Sequence, residues 1–232
     1  MSKMIGTILI DYDGTLHDSD AVFAAKLDDL LGLSGEDLYR AYLDIHRNII
    51  HEHYPERHDD MGLHWRLLLQ HLGKRYDRET AELLDKRFSE AAEAVVKHPR
   101  FFNDTFPFLD QLAEADYEIV LSTGQRTLDK AEALRRAGGK DYFSHVLGEE
   151  ILGHLKNDPA YYREALKRLG TTAERSVSIG DTILTDIYPA KVVGIKTIWV
   201  NRRGEKPPTN PERTPDYEVS NLISALDYLP TT

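Results

Sequence analysis

The sequence predicts an α/β protein: a parallel sheet covered by helices on both faces, interrupted after its first strand by an all-helical insert. Three observations carry this. The first apolar run, Met4–Ile10, is rich in isoleucine and needs a sheet to bury it, yet helical patterns follow it directly. Those patterns continue for roughly 80 residues with no strand-like run among them, the size of a small helical bundle. Beyond residue 100, strand-like and helical stretches alternate, as in a parallel sheet wound on both sides.

Taken in order, Met4–Ile10 runs into Asp11-Tyr12-Asp13-Gly14-Thr15, a polar, glycine-bearing stop at a strand's carboxyl end. From about Asp18 to Arg100, apolar residues recur at three- and four-residue spacing. Val22, Phe23, Leu27, Leu30 and Leu31 mark one helical stretch, and Leu38, Tyr42, Ile45 and Ile49 a second. Ser34 is placed to cap that second stretch, with Asp37 three residues on. Trp65, Leu68, Leu69 and Leu72 mark a third, and Leu83, Leu84, Phe88, Ala91 and Val95 a fourth. Strands follow at Tyr117–Leu121, His145–Leu147, Ser176–Gly180, Lys196–Val200 and, more weakly, Tyr217–Val219. Helical patterns lie at Pro107–Ala115, Arg126–Ala137, Pro159–Leu169 and Thr185–Val193, and Asn201–Pro215 reads as a surface loop. The result is a Rossmann-like, doubly wound sheet formed by residues 1–16 and 101–232, with 17–100 inserted as a helical domain.

Composition narrows the function. Of 232 residues, 41% are apolar and 29% charged, the balance of a globular protein rather than a disordered one. Lysine plus arginine is 29 and aspartate plus glutamate 39, a formal charge of −10. Most of such a surface repels a phosphodiester backbone, so no nucleic-acid partner is expected. There is no cysteine, which removes disulfides, thiolate nucleophiles and thiolate metal sites together. No basic-then-apolar leader opens the chain, and no apolar run approaches the ~18 residues of a membrane span. A cytoplasmic protein acting on a small molecule, with no membrane partner, is the expectation; nothing in the sequence marks an oligomeric state.

In an open parallel sheet, ligands bind beyond the carboxyl ends of the strands. Asp11 and Asp13 follow the first strand, Ser122, Thr123 and Gly124 the second, and Gly180-Asp181 the fourth, with Asp186 five residues later. Lys156 precedes a helix, in Lys156-Asn157-Asp158-Pro159. Several carboxylates brought together favour a hard divalent cation with oxygen ligands, above all Mg²⁺. A carboxylate can also act as a nucleophile, and a second carboxyl close by as acid and then base. Either Ser122 or Thr123 can offer the hydroxyl, with Ser122 favoured because it directly follows the apolar strand.

These residues resemble the motifs of the haloacid dehalogenase-like hydrolase superfamily. Asp11-Tyr12-Asp13-Gly14-Thr15-Leu16 is similar to its DxDGT motif, Ser122-Thr123-Gly124 to its second and Lys156 with Asp158-Pro159 to its third. Gly180-Asp181-Thr182 with Asp186-Ile187 is similar to its fourth. The insert after the first motif resembles a C1 cap domain, and Asp13 with Asp181 points to the phosphatase branch. The resemblance implies Asp11 as the nucleophile that becomes an aspartyl phosphate and Asp13 as general acid/base. It implies Mg²⁺ held by the Asp11 carboxylate, the Asp13 main-chain carbonyl and Asp181, with Asp186 supporting the metal directly or from behind. Ser122, Thr123 and Lys156 are expected to bind the phosphoryl group, and the substrate to be a small phosphorylated metabolite. Two positions depart from the pattern: Asn157 replaces the usual proline of the third motif, and Thr123 the frequent asparagine of the second.

The same residues serve a phosphomutase, and the nucleophile is shared with 2-haloacid dehalogenases. Dehalogenation needs neither Mg²⁺ nor an acid at Asp13, so Asp13 and Asp181 argue against it. A binding protein retaining only the fold is the alternative from outside enzymology. In the insert, His46, His51, His53, His58 and His64 lack the three- or four-residue spacing of a helical zinc site. They are expected to be solvated or in the core, although one of them, or Arg47, Arg57 or Arg66, could meet an anionic substrate. Tyr39, Tyr42, Trp65, Phe88, Phe101 and Phe102 are read as core, and His17 as a solvated hinge residue.

Overall fold

The structure, a computed structural model, describes residues 6–230. The chain divides into two units, Met1–His17 with Phe101–Thr232, and Asp18–Arg100.

The first unit holds six strands: β1 Thr7–Ile10, β2 Glu118–Ser122, β3 His145–Leu147, β4 Ser176–Gly180, β5 Lys196–Val200 and β6 Tyr217–Val219. They form one sheet in the order β3-β2-β1-β4-β5-β6, every pair parallel. The sequence reaches the same strands, with two adjustments. β2 begins and ends one residue later than the apolar run suggests, and β1 is described from Thr7, so Met4 and Ile5 lie outside the described residues.

β1 explains why a short run suffices. Ile8 and Ile10 are fully buried on one face, while Leu9 on the other packs with Val120, Leu147, Tyr161 and Ala165. Each such side chain contributes about 1.5–3 kcal/mol by leaving water. Ile10 is in register with Leu121 on one side and Ile179 on the other, so β2 and β4 each run one residue past the end of β1. Sheet order reverses between β1 and β4, and that reversal opens a crevice at their carboxyl ends.

The helix expected over Thr185–Val193 is instead a π-helical turn, Ile183–Ile187, followed by α-helix Tyr188–Val192. Pro189 is the cause. It has no N–H to give the Thr185 carbonyl one turn back, so the turn widens. The Thr185 carbonyl accepts instead from the Tyr162 hydroxyl at 2.9 Å. His17 also differs from expectation: it is fully buried. Its ring stacks on Tyr12 at 5.0 Å and meets Phe101 edge-on, and its backbone bridges to Asp13 and Phe101. Those pairings close the loop after β1 and draw the imidazole inside.

The second unit packs helices Ser19–Leu27, Gly35–Asp44, Met61–His71 and Arg78–Lys97 around Leu38, Ile45, Trp65, Leu68, Leu84 and Phe88. Ser34 caps its helix as the spacing predicts, its hydroxyl accepting from the Asp37 N–H. Asp18, Asp60 and Asp77 cap the other three in the same way. Leu83 is 43% exposed, because neighbours on a helix point about 100° apart and Leu84 takes the core side. The second helical stretch also ends early: past Asp44 the backbone passes into a π-helical turn over Ile45–Ile50. His64 is a core residue, whereas His53 is exposed and His46, His51 and His58 are half-buried. Among the described residues, no helix is long and apolar enough to cross a membrane.

Candidate active site

The polar residues named from sequence collect where β2, β1 and β4 end. Asp11 leaves β1 with its N–H still bonded to the Ile179 carbonyl at 2.9 Å, so the sheet ladder itself fixes its backbone. Its carboxylate is buried, 2.6 Å from the Lys156 ammonium and 3.4 Å from the donating Thr15 hydroxyl. Lys156 also lies 2.5 Å from Asp186 Oδ1. Asp186 Oδ2 accepts from the Thr182 N–H at 2.9 Å, and Asp181 Oδ1 accepts from the Thr182 hydroxyl at 3.1 Å.

Ligand oxygens of Asp11, Asp181 and Asp186 lie within 4.8 Å of one another, all three residues buried. Two glycines permit this approach. A Cβ on Gly14, at φ +77°, would stand 2.4 Å from Asp181 Oδ2, and one on Gly180 would stand 2.2 Å from Asp186 Cγ.

The electrostatics follow from the crowding. Burial pushes Asp11 up to about 8; Lys156 opposes this, while Asp186, Asp181 and Asp13 add to it. Asp186 is raised chiefly by burial. Burial alone would lower Lys156, but the Asp11 and Asp186 carboxylates reverse that and hold it well above the usual lysine value. With Asp11 ionised, Asp11, Asp13, Asp181 and Asp186 face Lys156, Lys130 and Arg203, four carboxylates against three cations. One further hard cation fits that donor set, and a divalent ion would turn the cluster net positive.

Asp13 stands apart from the carboxylate triad. Its Oδ2 takes a bond of 2.6 Å from Lys130 Nζ, and Lys130 gives another of 2.9 Å to Thr123 Oγ1. That leaves the Asp13 main-chain carbonyl as its expected contribution to a metal. Ser122 and Thr123 diverge: the Ser122 hydroxyl lies 3.1 Å from the Tyr161 hydroxyl, whereas Thr123 faces Lys130. Asn157 costs little rigidity. Asp158 caps the following helix with Pro159 at its start, and Glu149 accepts from the Lys156 N–H at 2.8 Å.

Four contributors escaped the sequence reading. Arg203 pairs with Asp181 Oδ2 at 2.6 Å from a stretch legible only as a loop. Tyr161 and Tyr162, adjacent on helix Pro159–Leu169, send their hydroxyls under two different loops. Tyr161 bonds the Thr123 carbonyl and Tyr162 the Thr185 carbonyl. Their one sequence-visible trace is an adjacent aromatic pair just inside a proline-started helix, and both rings are fully buried. Lys130 had no trace at all.

Comparison with known proteins gives the following. A family model for haloacid dehalogenase-like hydrolases matches residues 5–194. The chain is 28% identical to a glyceraldehyde 3-phosphate phosphatase of Methanopyrus kandleri, with 97% of each chain covered. It is 26% identical to the pyrimidine 5'-nucleotidase PynA of Streptococcus pneumoniae, covering 96% of this chain and 94% of that one. Among solved structures, the HAD-hydrolase YfnB of Bacillus subtilis, bound to magnesium, superposes with a TM-score of 0.75 at 22% identity. That match covers 99% of this chain and 100% of YfnB, and it is a likeness of fold.

Proposed function

The chain belongs to the haloacid dehalogenase-like hydrolases, and we propose that it hydrolyses a small phosphomonoester through a phosphorylated Asp11. The observation that carries this is the Asp11 carboxylate itself: buried, held by Lys156 at 2.6 Å, and two residues from a second carboxyl turned to a different partner. The two carboxyls, two residues apart, face different cations, which suits separate nucleophile and acid/base roles. The relatives named as a glyceraldehyde 3-phosphate phosphatase and a pyrimidine nucleotidase support a phosphomonoester as substrate.

In this reading Asp11, Asp181, the Asp13 carbonyl and Asp186 would hold Mg²⁺. Bound there, the ion would neutralise charge on the phosphoryl oxygens and lower the cost of bringing two anions together. Asp11 attacks phosphorus as the bond to the leaving oxygen breaks, and Asp13 gives that oxygen its proton. In the second half, Asp13 takes a proton from water as the water attacks phosphorus, and Asp11 and inorganic phosphate separate. Lys156 holds a phosphoryl oxygen while Asp186, with both carboxylate oxygens engaged, keeps the ammonium in place. A Ser122 contact to the phosphoryl group would be made in exchange for its bond to Tyr161, whereas Thr123, whose hydroxyl oxygen accepts from Lys130, keeps its own O–H to donate. The helical unit Asp18–Arg100 takes the part of a C1 cap domain and carries the choice of substrate.

The test is phosphate release from an aryl phosphate with and without Mg²⁺, for wild type beside Asp11→Asn, with 2-chloropropionate in parallel. Metal-dependent phosphate release should vanish in the variant while its melting temperature stays in the wild-type range. Asp13→Asn should lose ~10²–10⁴-fold, the usual worth of general acid/base help. Phosphate release that survives in Asp11→Asn, or halide release without metal, would overturn the reading.

A further inference from the structure

Lys130 is placed against its own interest. It is 7% exposed, and an ammonium taken from water costs several kcal/mol unless it is paired. It also sits in the first turn of helix Thr127–Gly138, where the exposed N–H groups make a cation unwelcome. Glu150 meets part of that helix end, its carboxylate accepting from the Thr127 N–H at 2.8 Å. What holds the ammonium inside is the Asp13 Oδ2 contact at 2.6 Å and the Thr123 Oγ1 contact at 2.9 Å. It lies 5.5 Å from the centre of the Tyr12 ring as well. The two polar partners come from the loops that end β1 and β2, so one side chain joins two edges of the crevice.

The chemistry of the contact has a consequence for the acid. An ammonium only donates, so the Asp13 oxygen it meets accepts. When Asp13 is the acid, its proton therefore belongs on Oδ1 and not on Oδ2. We propose that Lys130 is a positioning residue for proton delivery: by clamping Asp13 Oδ2 to Thr123, it fixes Oδ1 as the oxygen that protonates the leaving group. This rests on the phosphatase reading above. In the step concerned, the phosphorus–oxygen bond to the leaving group breaks and the Asp11–phosphorus bond forms. The Oδ1 proton passes to the departing oxygen, and Asp13 is left as a carboxylate whose Oδ2 is already bonded. Thr123 takes part through its hydroxyl oxygen, which accepts from Lys130.

Leaving-group dependence tests this, because only a poor leaving group needs the proton. The variants are Lys130→Met, Lys130→Arg and Thr123→Val, each assayed as purified full-length protein in Mg²⁺ beside a thermal melt. The substrates are glycerol 2-phosphate, with an alkoxide leaving group, and 2,4-dinitrophenyl phosphate, whose phenolate leaves unaided. For Lys130→Met, kcat/KM on the alkyl ester should fall by about 10–100-fold, part of the full worth of general acid catalysis, and on the dinitrophenyl ester by under about threefold. Lys130→Arg, which keeps a donor-only cation, should recover part of the loss. Thr123→Val removes a phosphoryl contact as well, so both esters should slow, the alkyl ester by the larger factor, and that ratio carries the test if Lys130→Met melts early. Equal losses on the two esters, or none on either, would overturn the positioning role while leaving the phosphatase reading intact. A wild-type protein silent on both esters overturns the two together.

Discussion

Gly14 shows how tightly single residues set this site. Its φ of +77° lies in the left-handed region, and a side chain there would meet the Asp181 carboxylate at 2.4 Å. Gly14→Ala therefore adds backbone strain of about 1–3 kcal/mol and pushes Asp181 away from Asp11. We expect Mg²⁺ affinity, read by calorimetric titration, to fall at least about tenfold, the equivalent of 1.4 kcal/mol. Unchanged affinity would mean that Asp181 does not ligate from this position. At this scale the sequence was legible wherever backbone and chemistry coincide in a short motif, as in Asp11-Tyr12-Asp13-Gly14. It was silent on Lys130 and Arg203. Their partners lie 117 and 22 residues away, and no local spacing encodes such a meeting.

Elements carry the site as much as residues do. Helix Pro159–Leu169 reaches two loops through Tyr161 and Tyr162, and the widened turn at Ile183–Ile187 frees the very carbonyl that Tyr162 occupies. In the helical unit, His64 and His46 form a chain of fixed direction. The Asp60 carbonyl can only accept, so His64 Nδ1 carries the proton of that 2.9 Å bond. His64 Nε2 then accepts from His46 Nδ1 at 3.0 Å. Burial lowers both imidazoles below the ordinary value, with His51, His64, Arg47 and His58 adding to this at His46. At His64, His58 adds to it, while Asp60, through its carbonyl and its charge, and Asp59 oppose it.

The unfolded chain therefore binds these protons first. Stability from the pair is intact above about 6.5 and is lost as pH falls through that value toward the depressed folded values. Chemical denaturation at pH 7.5 and 5.5 should show a larger drop for wild type than for His64→Gln, each measured in EDTA so that the carboxylate cluster cancels. Equal drops would remove the pair as the acid-sensitive element. The spacing of the five histidines gave no sign of the pairing of His46 with His64, which arises because two helices bring residues 18 apart together.

For the whole molecule, the carboxylate cluster is a stability statement. Four carboxylates against three cations resist burial, and a bound divalent ion relieves them. At a hundred times its dissociation constant, Mg²⁺ adds about 2.7 kcal/mol, a rise of roughly 5–10 °C in melting temperature for a chain of this length. The ion competes with the Asp11 proton, whose metal-free value is about 8. The gain should therefore be larger at pH 8.5 than at pH 6.5, and Asp181→Asn should abolish it. No Mg²⁺-dependent shift in differential scanning calorimetry at either pH would remove the cluster as a metal site.

The sequence by itself determined the α/β class, the parallel strands, the helical stretch between residues 18 and 100, three short motifs at strand ends and the lysine motif before helix Pro159–Leu169. Hydrophobic period and turn chemistry are local, and local signals survive without a structure. Only the tertiary structure decided which oxygens face which cations: Asp13 toward Lys130, Asp181 toward Arg203, Ser122 toward Tyr161 and Thr123 away from it. It also decided that His17 is buried and that Thr185 begins no regular helix. The physical reason is shared. A side chain's partner is set by the register of β2, β1 and β4 and by the helices that cross beneath them, and neither is written in the spacing of neighbours along the chain.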